Sequence, residues 1–192
     1  RQFRVTTRSV ASRAVAANLV DRNFWPPAAN QIWASDLTYI ATGEGWLYLA
    51  VVLDLYSRRV VGWSMGTRLT TDLVLRAFWM AVLRRKPGAG LIFHSDRGSQ
   101  YTSGAFSNAV RSCGYRQSMS RKANVWDNAP CESHFKSLKT ELMGGKAFGS
   151  RAEARREIFE YLEAFYNRVR LHSSLGYRPP HEYEQISEAM SA

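Results

Sequence analysis

The chain has 192 residues, 45% hydrophobic and 22% charged, which is ordinary globular composition at a length that buries a sizeable core without disulfide or zinc support. Lysine and arginine total 26 against 16 acids, a net charge of +10, and a surplus that large implies a polyanionic partner, nucleic acid or an acidic membrane surface. Two cysteines, Cys113 and Cys131, make no disulfide framework, no zinc-ligand spacing occurs, and no apolar run reaches the roughly 18 residues of a membrane span.

Residues 1–30 read as a basic lead-in segment and linker. Arg1, Arg4, Arg8, Arg13 and Arg22 face the single acid Asp21. The stretch Val10–Leu19 can form a short helix, and the two prolines after Trp25 interrupt any helix and mark a linker. Two readings stay open: a flexible, solvated lead-in, or a basic arm lying on nucleic acid. The first residue is not methionine, as in a piece of a longer protein.

From Gln31 the pattern becomes β. Residues 31–40 form a first strand, the almost continuously apolar 46–54 a second, buried on both faces, and Arg59–Met65 a third, joined by tight turns into a meander. Thr70 or Thr71 caps a helix to about Arg85, which Pro87-Gly88 stops. Leu91–His94 is a short strand, Ser103–Cys113 a helix and Tyr115–Met119 a strand. Asp127 or Asn128 caps a helix with Pro130 in its first turn, running to about Met143. Ser150-x-x-Glu153 is a capping box for a last long helix, on which Ile158, Tyr161, Leu162, Phe165 and Val169 repeat at helical spacing. The order β-β-β-α-β-α-β-α-α gives an α/β fold, a mixed five-stranded sheet flanked by helices. Its core covers 31–182, with 183–192 as a C-terminal tail.

Three acids sit where solvated acids do not belong. Asp36 lies mid-strand among Ile32, Ala34, Thr38 and Ile40, a costly place for a carboxylate unless something charged binds it. Asp96 follows the apolar strand directly, and strand ends of α/β sheets are where ligands bind. Glu132 falls in the first turns of a helix with the apolar stripe Cys131, Phe135, Leu138 and Leu142. At about 100° per residue, Asn128, Glu132, Lys136 and Lys139 share one helix face. Each acid alone also has a plain structural reading: a salt-bridged strand residue, a turn residue, a surface acid.

The spacing is more specific than any one residue, with 35 residues between Asp96 and Glu132. Five anchors occur in order: Trp33-x-x-Asp36-x-Thr38-Tyr39-Ile40; Leu53-Asp54-x-Tyr56-Ser57-Arg58; His94-Ser95-Asp96-x-Gly98-Ser99-Gln100-Tyr101; Trp126-Asp127-Asn128-Ala129-x-x-Glu132-Ser133-x-Phe135-x-x-Leu138-Lys139; and Tyr166-Asn167-x-x-Arg170-x-His172-x-x-Leu175-Gly176-Tyr177-x-Pro179-Pro180. With them the chain resembles, over about residues 30–182, the catalytic core of insertion-sequence transposases of the retroviral-integrase type, the DDE recombinases. The resemblance implies an RNase H-like fold, with Asp36, Asp96 and Glu132 as the catalytic, metal-binding triad. It implies two Mg²⁺ ions, for which Mn²⁺ substitutes, with Asp36 bridging both. Hard cations with oxygen ligands suit a carboxylate triad.

Around the triad, segment 97–126 carries Arg97, Arg111, Arg116, Arg121 and Lys122 with no acid before Asp127, a basic wall. Ser118–Asn124 reads as a mobile loop that orders on DNA. Lys139 resembles the lysine with which such recombinases contact terminal DNA; Lys136, Arg121, Lys122 and Arg97 are further DNA-contact candidates. Asp54 is expected to organise the Tyr56-Ser57 turn and Asp127 to cap its helix. His94 is read as a satisfied strand-end histidine and His172 as a turn residue. The expected partners are DNA, as element ends and target, and further copies of the chain assembled on it, in the cytoplasm at the nucleoid with no membrane. The zinc module of retroviral integrases is absent, and an upstream helix-turn-helix segment is expected to recognise the ends. The leading reading is a DDE-type DNA transposase that cleaves element ends and joins the 3′-OH to target DNA. Its alternatives are an RNase H-like nuclease without joining activity and a non-catalytic DNA-binding module derived from a transposase.

Overall fold

The computed structural model describes residues 15–122 and 124–191. Strands β1 (Ile32–Thr42), β2 (Gly45–Asp54) and β3 (Val60–Gly66) come first, then helix α1 (Thr71–Arg85), β4 (Ile92–Ser95), α2 (Gly104–Ser112) and β5 (Arg116–Met119). Helix α3 (Ala129–Leu138) is preceded by a 3₁₀ turn, Val125–Asn128, and continues into a π-helical turn, Lys139–Met143; α4 (Arg151–Glu160) runs into a second π-helical turn, Tyr161–Tyr166; α5 (Pro180–Ser191) closes the chain.

The sheet order is β3-β2-β1-β4-β5. The two hairpins pair β1, β2 and β3 antiparallel, whereas β4 lies parallel to β1 and β5 parallel to β4. Such parallel neighbours need crossover connections, which α1 and α2 supply. The sheet separates two apolar layers. Trp33, Ala50 and Val52 face Leu73, Val74, Ala77 and Phe78 of α1 and Phe106 and Val110 of α2. Ile32, Ala34, Ile40, Leu49 and Val51 face Cys131, Phe135 and Leu138 of α3 and Ala154 and Ile158 of α4. β2 is therefore covered on both sides, which explains its unbroken apolar run. Gly62 lets α1 approach β3: a Cβ there would run into the Ala77 carbonyl.

Several local expectations change. In α4 the buried positions are Ala154, Ile158, Tyr161, Leu162 and Tyr166, while Phe165 and Val169, expected on the apolar face, are exposed. The π-helical turn takes more residues per turn, so the inward position passes from Phe165 to Tyr166. Residues 183–191, expected as a tail, lie within α5. Its Glu184 is buried and bonds to Arg59 Nη1 at 2.5 Å, Arg85 Nη1 at 2.8 Å and Ser57 Oγ at 2.6 Å. Residues 15–30 pack on the body: the Ala17 carbonyl accepts from the Met119 amide, the Leu19 amide donates to Ser118 Oγ, and Val20 is buried. Of the expected helix Val10–Leu19, residues 15–19 are not helical, and 10–14 lie outside the described residues along with Arg1, Arg4, Arg8 and Arg13. Ser118 and Ser120, expected on a mobile loop, are buried, and His94 bonds to Ser118 Oγ at 2.8 Å.

Asp54 does organise the turn, accepting from the Tyr56 amide at 3.0 Å, and also holds the Asn30 amide at 2.7 Å. Burial pushes its carboxyl up to about 6 against these two amides, with Glu184 adding to the rise and Arg85 opposing it. Burial alone would raise Glu184 too, but Arg85, Ser57 and Arg59 hold it below the usual range. Arg85 thus serves both buried acids, lying 3.7 Å from Asp54 Oδ2. Arg85→Met should cost about 3–5 kcal/mol, because it removes the cation beside buried Asp54 and one of the two that hold buried Glu184. Thermal unfolding checks this, and a loss under about 1 kcal/mol would show that α5 docks through its apolar contacts instead.

Candidate active site

Register brings the first two acids together. β1 and β4 pair in parallel through Ile32↔Ile92 to Ser35↔Ser95, so Asp36 and Asp96 are the next residues on two strands whose backbones run about 4.8 Å apart. Alternation decides the face. Ile32, Ala34 and Ile40 point to the layer of α3 and α4, and Asp36 shares their parity. The Asp36 Oδ1 accepts from the Leu37 amide at 2.7 Å. Asp96 Oδ1 accepts from the Gly98 amide at 2.9 Å, and a Cβ at Gly98 would sit only 2.9 Å from that oxygen. Beneath them Ser35 Oγ donates to the Val51 carbonyl and meets the Tyr101 hydroxyl at 2.8 Å.

α3 delivers the third acid. Its stripe of Cys131, Phe135 and Leu138 is buried against the sheet, and Glu132, next to that stripe, is exposed. Lys139, in the π-helical turn, places Nζ 4.8 Å over the Tyr39 ring of β1, and its charge and that of Asp36 act on each other. Among the described residues none of the three acids forms an ion pair.

The electrostatics follow from this crowding. Burial, then the neighbouring charge of Asp96, push Asp36 up to about 8; Glu132 adds to the rise, and the Leu37 amide and Lys139 oppose it. Burial raises Asp96 against the Gly98 amide, and the partial desolvation of the otherwise exposed Glu132 raises it too. Burial lowers Lys139, with Asp36 pulling the other way. Like charges held together favour the protonated form unless a cation joins them. Among the described residues no three His, Cys, Asp or Glu side chains are arranged as a ready-made metal site. The donor set nevertheless suits a hard divalent ion, since all three groups are carboxylates, two of them half-buried, and none forms an ion pair among the described residues.

The remaining candidates have other neighbours. Lys136 is exposed on α3 and Lys122 on the turn before Asn124. Arg97 Nε donates to the Ser120 carbonyl at 2.7 Å. Arg121 bonds to Asp127 through Nε at 2.9 Å and Nη2 at 2.8 Å, and reaches Asp21 at 3.1 Å. Asp127 therefore is not the helix cap expected for it: its buried carboxylate also takes Arg22 and Asn18, and the Arg121 bond above all holds it well below the usual carboxylate range. That anchor has no local sequence signature, because Asn18 and Arg22 lie more than a hundred residues before Asp127. His94 is satisfied, with Nε2 2.8 Å from the Asp127 carbonyl. The backbone of His172 turns the chain, its amide bonding to the Arg178 carbonyl.

Comparison with known proteins agrees with this architecture. The integrase core domain matches residues 26–125, and a second integrase core domain profile matches residues 113–180. The chain is also 48% identical over 170 residues to the transposase of insertion sequence IS904 from Lactococcus lactis, covering 88% of this chain and 67% of that protein. The chain belongs to the integrase core domain family. It is an insertion-sequence transposase core of the integrase superfamily, also 46% identical over its full length to the uncharacterized 31 kDa protein of IS600 from Shigella sonnei, of which it spans 71%. Transposase InsF of IS3 from Escherichia coli is 44% identical over 184 residues, and this chain spans 64% of it. Among solved structures, the simian T-cell lymphotropic virus intasome aligns with a TM-score of 0.67 at 16% identity, covering 91% of this chain and 60% of that one. The HTLV-2 integrase catalytic core in complex with magnesium aligns at 0.58 and 21%, covering 77% of this chain and 92% of that one. These likenesses establish the RNase H-like fold.

Because Asp36 holds its proton more tightly in the folded chain, stability should fall as pH rises from about 4 to about 8 without divalent cations. Asp36→Asn removes that penalty. In chelator it should raise the melting temperature by about 2–5 °C at pH 8, the equivalent of roughly 1–2 kcal/mol, and by little near pH 4. Calorimetric melts across that window check both the sign and the trend.

Proposed function

We propose that this integrase core domain is the catalytic domain of a DNA transposase. It cleaves DNA at the end of its element and joins the resulting 3′-OH to a target phosphodiester. The observation that carries the reading is the set of three unpaired carboxylates on β1, the end of β4 and α3, two of them on adjacent parallel strands. Asp36, Asp96 and Glu132 would hold two Mg²⁺ ions, with Mn²⁺ able to replace them. Such a pair, when bound, activates the attacking oxygen and stabilises the leaving one in an in-line displacement.

The chain's own residues supply position and charge. The Leu37 and Gly98 amides hold one oxygen of Asp36 and of Asp96, which fixes each carboxylate and leaves its other oxygen for a ligand. Lys139, tethered over Tyr39, stands where a phosphate beside Asp36 would meet a cation. Lys136, Lys122 and Arg97 add positive charge along the DNA path. Arg121 contributes there only by sharing its bonds with Asp127. Both steps exchange one phosphodiester oxygen for another, so neither needs a covalent enzyme intermediate. Further copies of the chain on the DNA and an upstream end-recognising segment complete the proposed assembly, acting in the cytoplasm. Among the described residues no helix is long and apolar enough to cross a membrane.

Asp36→Asn should abolish cleavage and joining together on labelled element-end duplex in Mg²⁺ or Mn²⁺, while leaving DNA binding intact or slightly stronger. Lys139→Ala should instead weaken end binding about fivefold, the worth of roughly 1 kcal/mol, and leave some cleavage at high DNA concentration. Products on a denaturing gel separate the alternatives: cutting without joining indicates the nuclease, and near-wild-type joining by Asp36→Asn rejects the triad. For the wild type, log K should fall with log salt at about −0.9 per phosphate contacted; a flat response would remove DNA from the account of the charge.

A further inference from the structure

On the side of α3 next to Glu132 lies a cavity of about 550 Å³, within the size range of ligand pockets. α3 forms one wall through Ala129, Ser133 and Ser137, and the linker residues Phe24 and Trp25 and the segment after Tyr166 form the others. None of the residues proposed for the metal centre lines it.

Its walls include His134 and Arg58, side chains with buried polar atoms that the protein leaves without partners. His134 is only 3% exposed, and both its ring nitrogens lack a hydrogen bond. A buried Arg58 nitrogen, Nη1, is likewise unpartnered, although Nη2 of the same side chain donates to the Phe24 carbonyl at 3.1 Å. A buried polar atom without a partner costs stability, so two residues of this kind in one cavity point to something that binds there. The charge is positive. Arg170 is matched by Glu141 at 2.7 Å, whereas Arg58 has no ion pair among the described residues, which leaves one uncompensated guanidinium for an anion.

The walls are aromatic. The Arg58 guanidinium lies 4.4 Å over the Trp25 ring, and Trp25 is 58% exposed at the mouth. Tyr166 stands edge-on to His134 at 4.6 Å and to His172 at 4.9 Å, and Tyr177 is exposed at the rim. A flat, polar-edged ring that carries an anion fits all three features. Aromatic faces stack on it, polar groups of the wall such as the exposed Ser133 meet its edge, and a guanidinium takes its phosphate. That description is a nucleotide.

We infer that this cavity receives an unpaired nucleotide of the DNA strand that passes along α3, its base against Trp25 and Tyr177 and its phosphate towards Arg58. The inference rests on the DNA-processing reading above. Glu132 and Ser133 are consecutive on the helix, so a strand whose phosphate lies at the candidate metal centre carries its neighbouring nucleotides across the cavity mouth. In a duplex those bases are paired and cannot enter. The site would therefore capture a strand that is frayed or single-stranded beside the reaction point.

The test compares a blunt duplex with the same duplex bearing a short single-stranded extension that contains 2-aminopurine. The wild type should bind the extended duplex about tenfold more tightly, within the worth of stacking one base, and quench the probe. Trp25→Ala and the cavity-filling Ser133→Trp, both at surface positions, should each remove the preference and the quenching while leaving affinity for the blunt duplex unchanged. Equal binding of the two duplexes by the wild type overturns the inference alone, as does a preference that survives both substitutions. Failure to bind either duplex overturns the transposase reading with it. Deoxyadenosine monophosphate separates a strand from a free nucleotide: weak competition supports the strand, whereas tight binding of the mononucleotide with equal affinity for both duplexes assigns the cavity to free nucleotides and overturns the proposal.

Discussion

The parallel pairing of β1 with β4 is the constraint on which the rest of the site depends. Three antiparallel strands alone would place Asp36 beside the apolar Val51 and nothing charged. The crossover through α1 brings β4 into register alongside β1, and one residue past Ser35↔Ser95 two carboxylates follow the paired strands. Shifting β4 by a single residue would send Asp96 to the opposite face. α3 then adds Glu132 because its apolar stripe buries against the same face of the sheet, and the π-helical turn after Leu138 lays Lys139 over Tyr39. The site is thus fixed by packing on both sides rather than by bonds among its own members, which mainly repel.

The treatment of acids elsewhere makes the contrast plain. Glu184 bonds to Arg59 and Arg85, Asp127 to Arg22 and Arg121, and Glu141 to Arg170. With 26 basic residues in the chain, a counterion for any buried carboxylate is readily supplied. That neither Asp36 nor Asp96 forms an ion pair among the described residues is a property of their location, where burial and mutual charge favour protonation. Groups kept in so unfavourable a state are characteristic of functional sites.

Much of this was legible in the sequence, and the reasons differ by element. The strands were readable because alternation and the unbroken apolar run of β2 reflect one-sided and two-sided burial. The adjacency of Asp36 and Asp96 was hinted at locally, because Asp36 breaks the β pattern and Asp96 ends a strand. α5 was not, because its docking depends on Glu184, a residue type that marks solvent unless its distant partners Arg59 and Arg85 are known. The change of face at Phe165 and Tyr166 required the π-helical turn, which has no local sequence signature here. The cavity beside α3 is assembled from the linker, the β2–β3 turn, α3 and the segment after α4, so the unpartnered His134 and Arg58 become visible only once those segments meet.

Manganese binding to the protein alone, followed by electron paramagnetic resonance, tests the central claim that these carboxylates form one cation site. The account predicts saturable binding by the wild type that Asp36→Asn abolishes and Lys136→Ala leaves unchanged. Equal Mn²⁺ binding by the wild type and Asp36→Asn would contradict it.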